Sequence, residues 1–140
     1  MEIQEVLGLD VGSVRVGVAR VNMIAKIPEA LSYFLTKNDI TSLRELNHLY
    51  QPNAIVVGLP RNMQNEDTKQ TEFVRQWMKS VLPIFKDLPF FWQDEAATSI
   101  EASELLGPKA DKKDIDSLAA CIILKDFIAT PIKDRVAINK

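Results

Sequence analysis

Residues 5–20, EVLGLDVGSVRVGVAR, constrain this chain more than any other stretch. An apolar run ends in a single carboxylate, Asp10. A turn at Gly12 and Ser13 follows, and then a second β-rich run with Val14, Val16 and Val18. Two β-branched runs joined by a glycine-containing turn read as a hairpin. Asp10 then sits at the far end of a central strand, beside the turn. An ionised carboxylate in that position is costly unless a cation meets it. The question for the remaining residues is what they bring to Asp10.

The chain has 140 residues, enough for one domain with a real core and too few for two. No apolar run reaches the length of a membrane-spanning helix. The N-terminal residues carry Glu2 and Glu5 and show no signal-peptide pattern. A single cysteine, Cys121, suits a reducing compartment, so the expectation is a cytoplasmic protein. With one histidine and one cysteine, a Cys/His zinc site is disfavoured. Any metal would be held by carboxylates, hence Mg2+ or Mn2+. The net charge of −2 lacks the basic surplus usual in nucleic-acid binders, although a local basic face stays open.

In order, residues 3–10 and 14–21 read as strands one and two, and 30–36 as an edge-like third strand. Asn38 or Asp39 caps a helix to about Tyr50, with Leu43, Leu46 and Leu49 at helical spacing. Residues 54–58, AIVVG, form a short apolar strand of the kind buried on both faces. A loop, LPRN, follows. Residues 65–82 turn helical, with Phe73, Trp77 and Val81 as the apolar stripe. Residues 88–93 are the fifth strand, followed at once by Asp94 and Glu95. Thr98 to Glu101 has the capping-box pattern of a helix that Gly107 and Pro108 stop. A polar loop leads to a last helix over about 113–128. The reading is one domain over residues 1–130 with residues 131–140 as a tail. The expected fold class is α/β: a mixed five-stranded sheet, its first three strands an antiparallel meander, with helices on both faces.

Two more acids can join Asp10. Glu95 ends the fifth strand. On the last helix, Asp116 shares a stripe with Ala119, Ala120, Ile123 and Phe127, whereas Asp114 shares one with Ser117, Leu118, Cys121 and Lys125. The first stripe is apolar, and its two alanines permit close packing on the sheet. Asp116 is therefore an acid at the entrance of a buried face, an odd placement of charge. Asp114 is explained as a first-turn acid favoured by the helix dipole. Each acid also has a plainer explanation: a turn residue for Asp10, surface acids for Asp94 and Glu95, a helix-start acid for Asp116. Trp77, Trp92 and Cys121 read as packing residues and His48 as solvated. Three converging acids repel one another and raise their pKa values unless divalent cations lie between them. Two such ions activate a water and stabilise the leaving oxygen in phosphodiester cleavage.

Taken together, LGLDVGSVRVGVA, VVGLPRNM, the acidic pair followed by Thr98, and DIDSLAACIILKDFI resemble the YqgF family, also called the Holliday junction resolvase or pre-16S rRNA nuclease family. Four motifs in order cover nearly the whole chain. The resemblance implies a ribonuclease H-like fold and a metal-dependent endonuclease. It implies Asp10, Glu95 and Asp116 as the catalytic, metal-binding acids, holding two Mg2+ or Mn2+ ions. It implies substrate contacts from Arg15, from Gly58, Leu59, Pro60 and Asn62 of the Gly-Leu-Pro loop, and from Thr98; beside these, Arg61, Lys69, Lys112 and Lys113 are this chain's own candidate phosphate contacts. Three places depart from the family's usual pattern: Ala96 replaces an Arg or Asn, Arg61 replaces an apolar residue, and the loop Gln64-Asn65-Glu66-Asp67 stands where the family is richer in Gly.

The expected partner is nucleic acid, pre-rRNA or branched DNA, with ribosomal assembly intermediates as a possible context. No membrane is involved. A resolvase would need a homodimer and an RNA processor would work as a monomer. Two alternatives stand beside the nuclease. One is a non-catalytic nucleic-acid-binding module on the same fold. The other is an ATP-binding lobe of the actin and sugar-kinase type, for which the chain is too short to supply both lobes.

Overall fold

The computed structural model describes residues 3–95, 105, 107 and 111–139, with only the backbone of Lys112 and Lys113. Six strands form one sheet in the order β3-β2-β1-β4-β5-β6. The strands are β1 (Glu5–Val11), β2 (Arg15–Asn22), β3 (Glu29–Leu35), β4 (Ala54–Leu59), β5 (Phe90–Asp94) and β6 (Val136–Ala137). Among the described residues, the α-helices with defined bounds are α1 (Asp39–Tyr50), α2 (Lys69–Val81) and α3 (Lys112–Ala129). The expected hairpin is present: β1 pairs β2 antiparallel, and Gly12 N donates to Arg15 O across the turn at 2.8 Å. β3 completes the antiparallel meander, with a register shift between Val18 and Ala19. β4 then joins β1 in parallel, and β5 joins β4 in parallel. The C-terminal ends of β1, β4 and β5 therefore share one edge of the sheet, where crevices of such sheets lie.

Alternation along the strands sorts side chains to two faces. Leu7, Leu9, Val11, Val16, Val18, Ile55, Val57 and Phe90 pack with Leu43 of α1 and with Val74, Trp77, Met78 and Val81 of α2. Each such fully buried side chain contributes roughly 1.5–3 kcal/mol by leaving water. On the opposite face Val6, Ala19, Val21 and Val56 meet Ala120, Ile123, Leu124 and Phe127 of α3. The stripe expected on the last helix is thus the one that is buried. Helices cover both faces, as the pattern predicts. Among the described residues no helix is long and apolar enough to cross a membrane.

Three expectations are corrected. The sheet has six strands, not five. Residues 131–140, read as a tail, hold a 3-10 turn at Ile132–Asp134 and the strand β6, which pairs antiparallel with Phe91 and Trp92. A two-residue strand has no periodicity to detect; its pairing with β5 creates it. Finally, α2 begins at Lys69 rather than near 65, because Thr68 caps it in a box with Thr71. Its buried residues are Thr71, Val74, Trp77, Met78 and Val81, while Phe73 is only partly buried. In α1, Leu49 is exposed and Tyr50 takes the packing position instead. The helix expected over 98–106 lies outside the described residues.

Candidate active site

Asp10 is the next-to-last residue of β1 and points to the α3 face, in step with Val6 and Gly8. Its cross-strand partner is Gly17. Glu95 follows β5 directly and extends the ladder, its N–H donating to Leu59 O at 3.2 Å. It is only 7% exposed. Its Oε2 is buried without any hydrogen-bond partner.

Close packing makes room for these acids. A Cβ built on Gly58 would fall 2.6 Å from Glu95 Cδ and 2.8 Å from its Oε2, distances that real Cβ atoms do not show. Only glycine at 58 leaves space for the carboxylate. A Cβ on Gly17 would fall 2.1 Å from the backbone oxygen of Asp116, so glycine there lets the first turns of α3 lie against β2. Gly8 does the same further along, beneath Leu124 and the carbonyl of Ala120. Glycines on three strands and Ala119 and Ala120 on the helix bring α3 down onto the sheet. That approach carries Asp116 to the edge where Asp10 and Glu95 stand.

The electrostatics follow from this crowding. Asp10 is pushed up from 3.8 to about 6, chiefly by burial, with the charge of Asp116 adding to the effect and the Glu95 carboxyl beside it opposing it. Glu95 is raised well above its ordinary value, again by burial first and then by the Asp10 charge. The two carboxyls meet at the end of the sheet. Asp116 is held differently: Arg15 Nε donates to its Oδ2 at 2.9 Å, with both side chains about one-quarter exposed. Asp114 is exposed on the outside of α3, and the stripe argument that separated the two acids agrees with the structure.

The buried Glu95 carboxylate, in contact with the half-buried Asp10 and with one oxygen that no hydrogen bond satisfies, forms with it a donor set suited to a hard divalent cation. Among the described residues no group of three ligand-type side chains is already drawn together, since Asp116 is engaged by Arg15.

The remaining expected contacts fall into distinct places. Arg15 lies at the acidic edge on Asp116. Gly58 serves the site through the space it leaves. The carbonyl of Pro60 accepts the Thr71 hydroxyl and ties the loop after β4 to α2. The Asn62 Oδ1 accepts from Gln64 N at 3.0 Å and Glu66 N at 2.9 Å, so this side chain builds its own loop. Arg61 turns to the other side of β5, 3.2 Å from Asp67 and 3.6 Å from Asp94. Lys112 and Lys113 start α3. Thr98, like Ala96, lies outside the described residues. Sequence reasoning missed Gly17 and Gly58 as spacers. Their signal was present in the alternation, because glycine at 8, 17 and 58 falls on one face of three adjacent strands.

Comparison with known proteins agrees with this architecture. The family model RuvX, described as Holliday junction resolvase, matches residues 4–130. A protein of Oenococcus oeni named "Putative pre-16S rRNA nuclease" is 38% identical over 137 residues, covering 87% of this chain and 92% of that one. A protein of the same name from Streptococcus uberis is 34% identical over 134 residues, covering 88% and 96%. Among solved structures, Thermus thermophilus RuvC in complex with a Holliday junction substrate superposes with a TM-score of 0.59 at 16% identity, covering 96% of this chain and 99% of that one. A second Thermus thermophilus RuvC structure gives 0.57 at 14% identity. At such identity the likeness speaks for the ribonuclease H-like fold alone, while the family model and the relatives speak for kinship: the chain belongs to the RuvX (YqgF) family of nucleases.

Proposed function

We propose that this chain is a divalent-metal-dependent endonuclease that trims the 5′ end of pre-16S rRNA during ribosome biogenesis. The observation that supports this reading best is the contact of half-buried Asp10 with buried Glu95, whose Oε2 is unsatisfied, facing the Asp116 end of α3. Asp10, Glu95 and Asp116 would hold two Mg2+ or Mn2+ ions. When bound, such ions activate a water and stabilise the leaving oxygen. The chain's own residues do the rest. Gly58 keeps the Glu95 carboxylate unobstructed. Arg15 orients Asp116 and sets a guanidinium at the edge where a phosphate would lie. Pro60, Asn62 and Arg61 shape the loop beyond β4, and Thr98, Lys112 and Lys113 belong to the stretch that leads into α3. Attack of water on phosphorus with loss of the 3′ oxygen leaves a 5′-phosphate and a 3′-hydroxyl.

Residues 1–130 form the nuclease unit in this reading. The chain works in the cytoplasm as a monomer, and with a net charge of −2 it gains affinity from a ribosomal assembly intermediate. A second reading is favoured by the description of the matching family model: a Holliday junction resolvase, which would act as a homodimer on branched DNA.

The test is cleavage of two labelled substrates, an rRNA precursor with its 5′ extension and a four-way DNA junction, with Mg2+ or Mn2+. The expected result is cutting of the precursor that falls to background in Asp10→Asn and Asp116→Asn. Cutting of the junction instead selects the resolvase. A wild type that binds one substrate and cuts neither turns the fold into a non-catalytic binding module.

A further inference from the structure

The carboxylate edge is not the whole of this end of the sheet. Beside it, where β5 meets β6, lies a cavity of about 460 Å3. Arg61, Arg75 and Arg135 line it together with Trp92, Gln93 and Asp94. Asp94 belongs to the cavity, while the next residue, Glu95, turns to the carboxylate site on the opposite face. The cavity spans the β5–β6 end of the sheet, with Arg75 and Trp92 on the α2 side and Arg135, over Phe127, on the α3 side.

Arg135 is the informative residue. Its guanidinium lies 4.3 Å from the Phe127 ring centroid, and Phe127 is itself set against Phe91 at 5.5 Å. No carboxylate pairs with Arg135 among the described residues. Its Nε is buried with no hydrogen-bond partner, and so is that of Arg61, whose approach to Asp67 lacks hydrogen-bonding geometry. A buried N–H donor left without an acceptor is costly, and a ligand oxygen relieves it. Arg75 stands over the Trp92 ring at 5.9 Å. Asp67, 3.2 Å from Arg61 and 3.4 Å from Arg75, holds both in place. Two carboxylates also line the space, Asp94 and Asp134. With Asp67 counted, three guanidiniums face three carboxylates, and Arg135 is the guanidinium that no carboxylate pairs with among the described residues. One unpaired guanidinium suits a group carrying one negative charge, such as a phosphodiester, better than a polyphosphate. The volume suits one nucleotide.

We propose that this cavity seats a nucleotide of the bound strand next to the one being cut, its phosphate on Arg135 and Arg75. The proposal rests on the nuclease reading above. It gives the C-terminal residues a part in substrate recognition.

The test measures binding of a short fluorescent single-stranded RNA by anisotropy, in EDTA so that the strand stays whole, across a salt series. Arg135→Gln and Arg75→Gln should each weaken binding by about tenfold and reduce the slope of log Kd against log salt by about one. Arg135→Lys should restore the slope. Unfolding temperatures are measured in parallel, because a purely structural role would move Tm and leave the slope alone. Arg75→Gln, at a partly exposed position on α2, keeps the test open if Arg135→Gln lowers Tm. Emission of Trp92 should change on RNA addition, and the change should be absent in Trp92→Phe. Wild-type affinity and slope in both glutamine variants overturn the cavity and leave the nuclease untouched if the wild type still cuts. Loss of binding in the variants, with a wild type that binds but never cuts, keeps the cavity and overturns the nuclease. A wild type that neither binds nor cuts overturns both.

Discussion

The two faces of the sheet are built on opposite rules. Under α1 and α2 the side chains are large and interlocked: Leu7, Leu9, Ile55, Val57 and Phe90 against Leu43, Trp77 and Met78. Under α3 the strands offer Gly8, Gly17 and Gly58, and the helix answers with Ala119 and Ala120. The first face gains its stability from apolar area. The second gives up area for proximity, and proximity brings the helical Asp116, held by Arg15, to the end of the sheet where Asp10 and Glu95 meet. The chain keeps stability on one side and places its crowded carboxylates at the open end of the other.

Mutations can break this division in order of expected effect. Phe90→Ala on the large-residue face should cost about 3–5 kcal/mol of stability, read by urea unfolding, because it leaves a cavity among rigid neighbours. Residual cleavage per folded molecule should remain near wild type.

A pH series comes next. Asp10 is raised from 3.8 to about 6 in the folded chain, so between those values the folded state holds more protons than the unfolded one. Stability contributed by the neutral form is complete below about pH 4 and is lost as pH rises through about 6, on the order of 2–3 kcal/mol at most. Glu95, raised as well, acts in the same direction. In metal-free buffer Tm should fall over this window, and Asp10→Asn should flatten the fall and raise Tm at pH 8 while removing cleavage. Added Mn2+ should raise the Tm of the wild type and leave that of the variant unchanged.

Gly58→Ala should cost about 1–3 kcal/mol through overpacking, with a loss of cleavage out of proportion to that cost, since the added methyl meets the Glu95 carboxylate itself. The pairing of thermal melts with cleavage rates measures the disproportion. The smallest effect belongs to Asp114→Asn, which should change stability by no more than about 0.5 kcal/mol and leave cleavage intact. A large effect there would undo the distinction between the two acids on α3.

Much of this was legible in the residues. The hairpin could be read because Asp10, Gly12 and the valines form a short-range pattern. Asp116 could be told from Asp114 because a helix repeats every 3.6 residues and one stripe was apolar. The start of α2 was misplaced because the loop before it is organised by the Asn62 side chain, a contact without periodicity. β6 was missed because two residues pairing with β5 make a strand only once β5 exists. The third class is more instructive. Gly17 and Gly58 were visible as letters, yet the reason for them lies in atoms from residues 116 and 95, which only the folded chain brings close. Arg61 was read as a phosphate contact of the acidic edge, and the structure turns it to the neighbouring cavity instead.

The bond from Arg15 to Asp116 joins residues 101 positions apart. Contacts of such long range are formed late, after the loop entropy between them has been spent. During synthesis the meander, β4 and α2 emerge and can pack before α3 is made. Asp10 and Glu95 can therefore meet before Asp116 joins them. In the proposed nuclease the third acid arrives only when α3 docks, so cleavage would report on that docking rather than on the presence of the sheet.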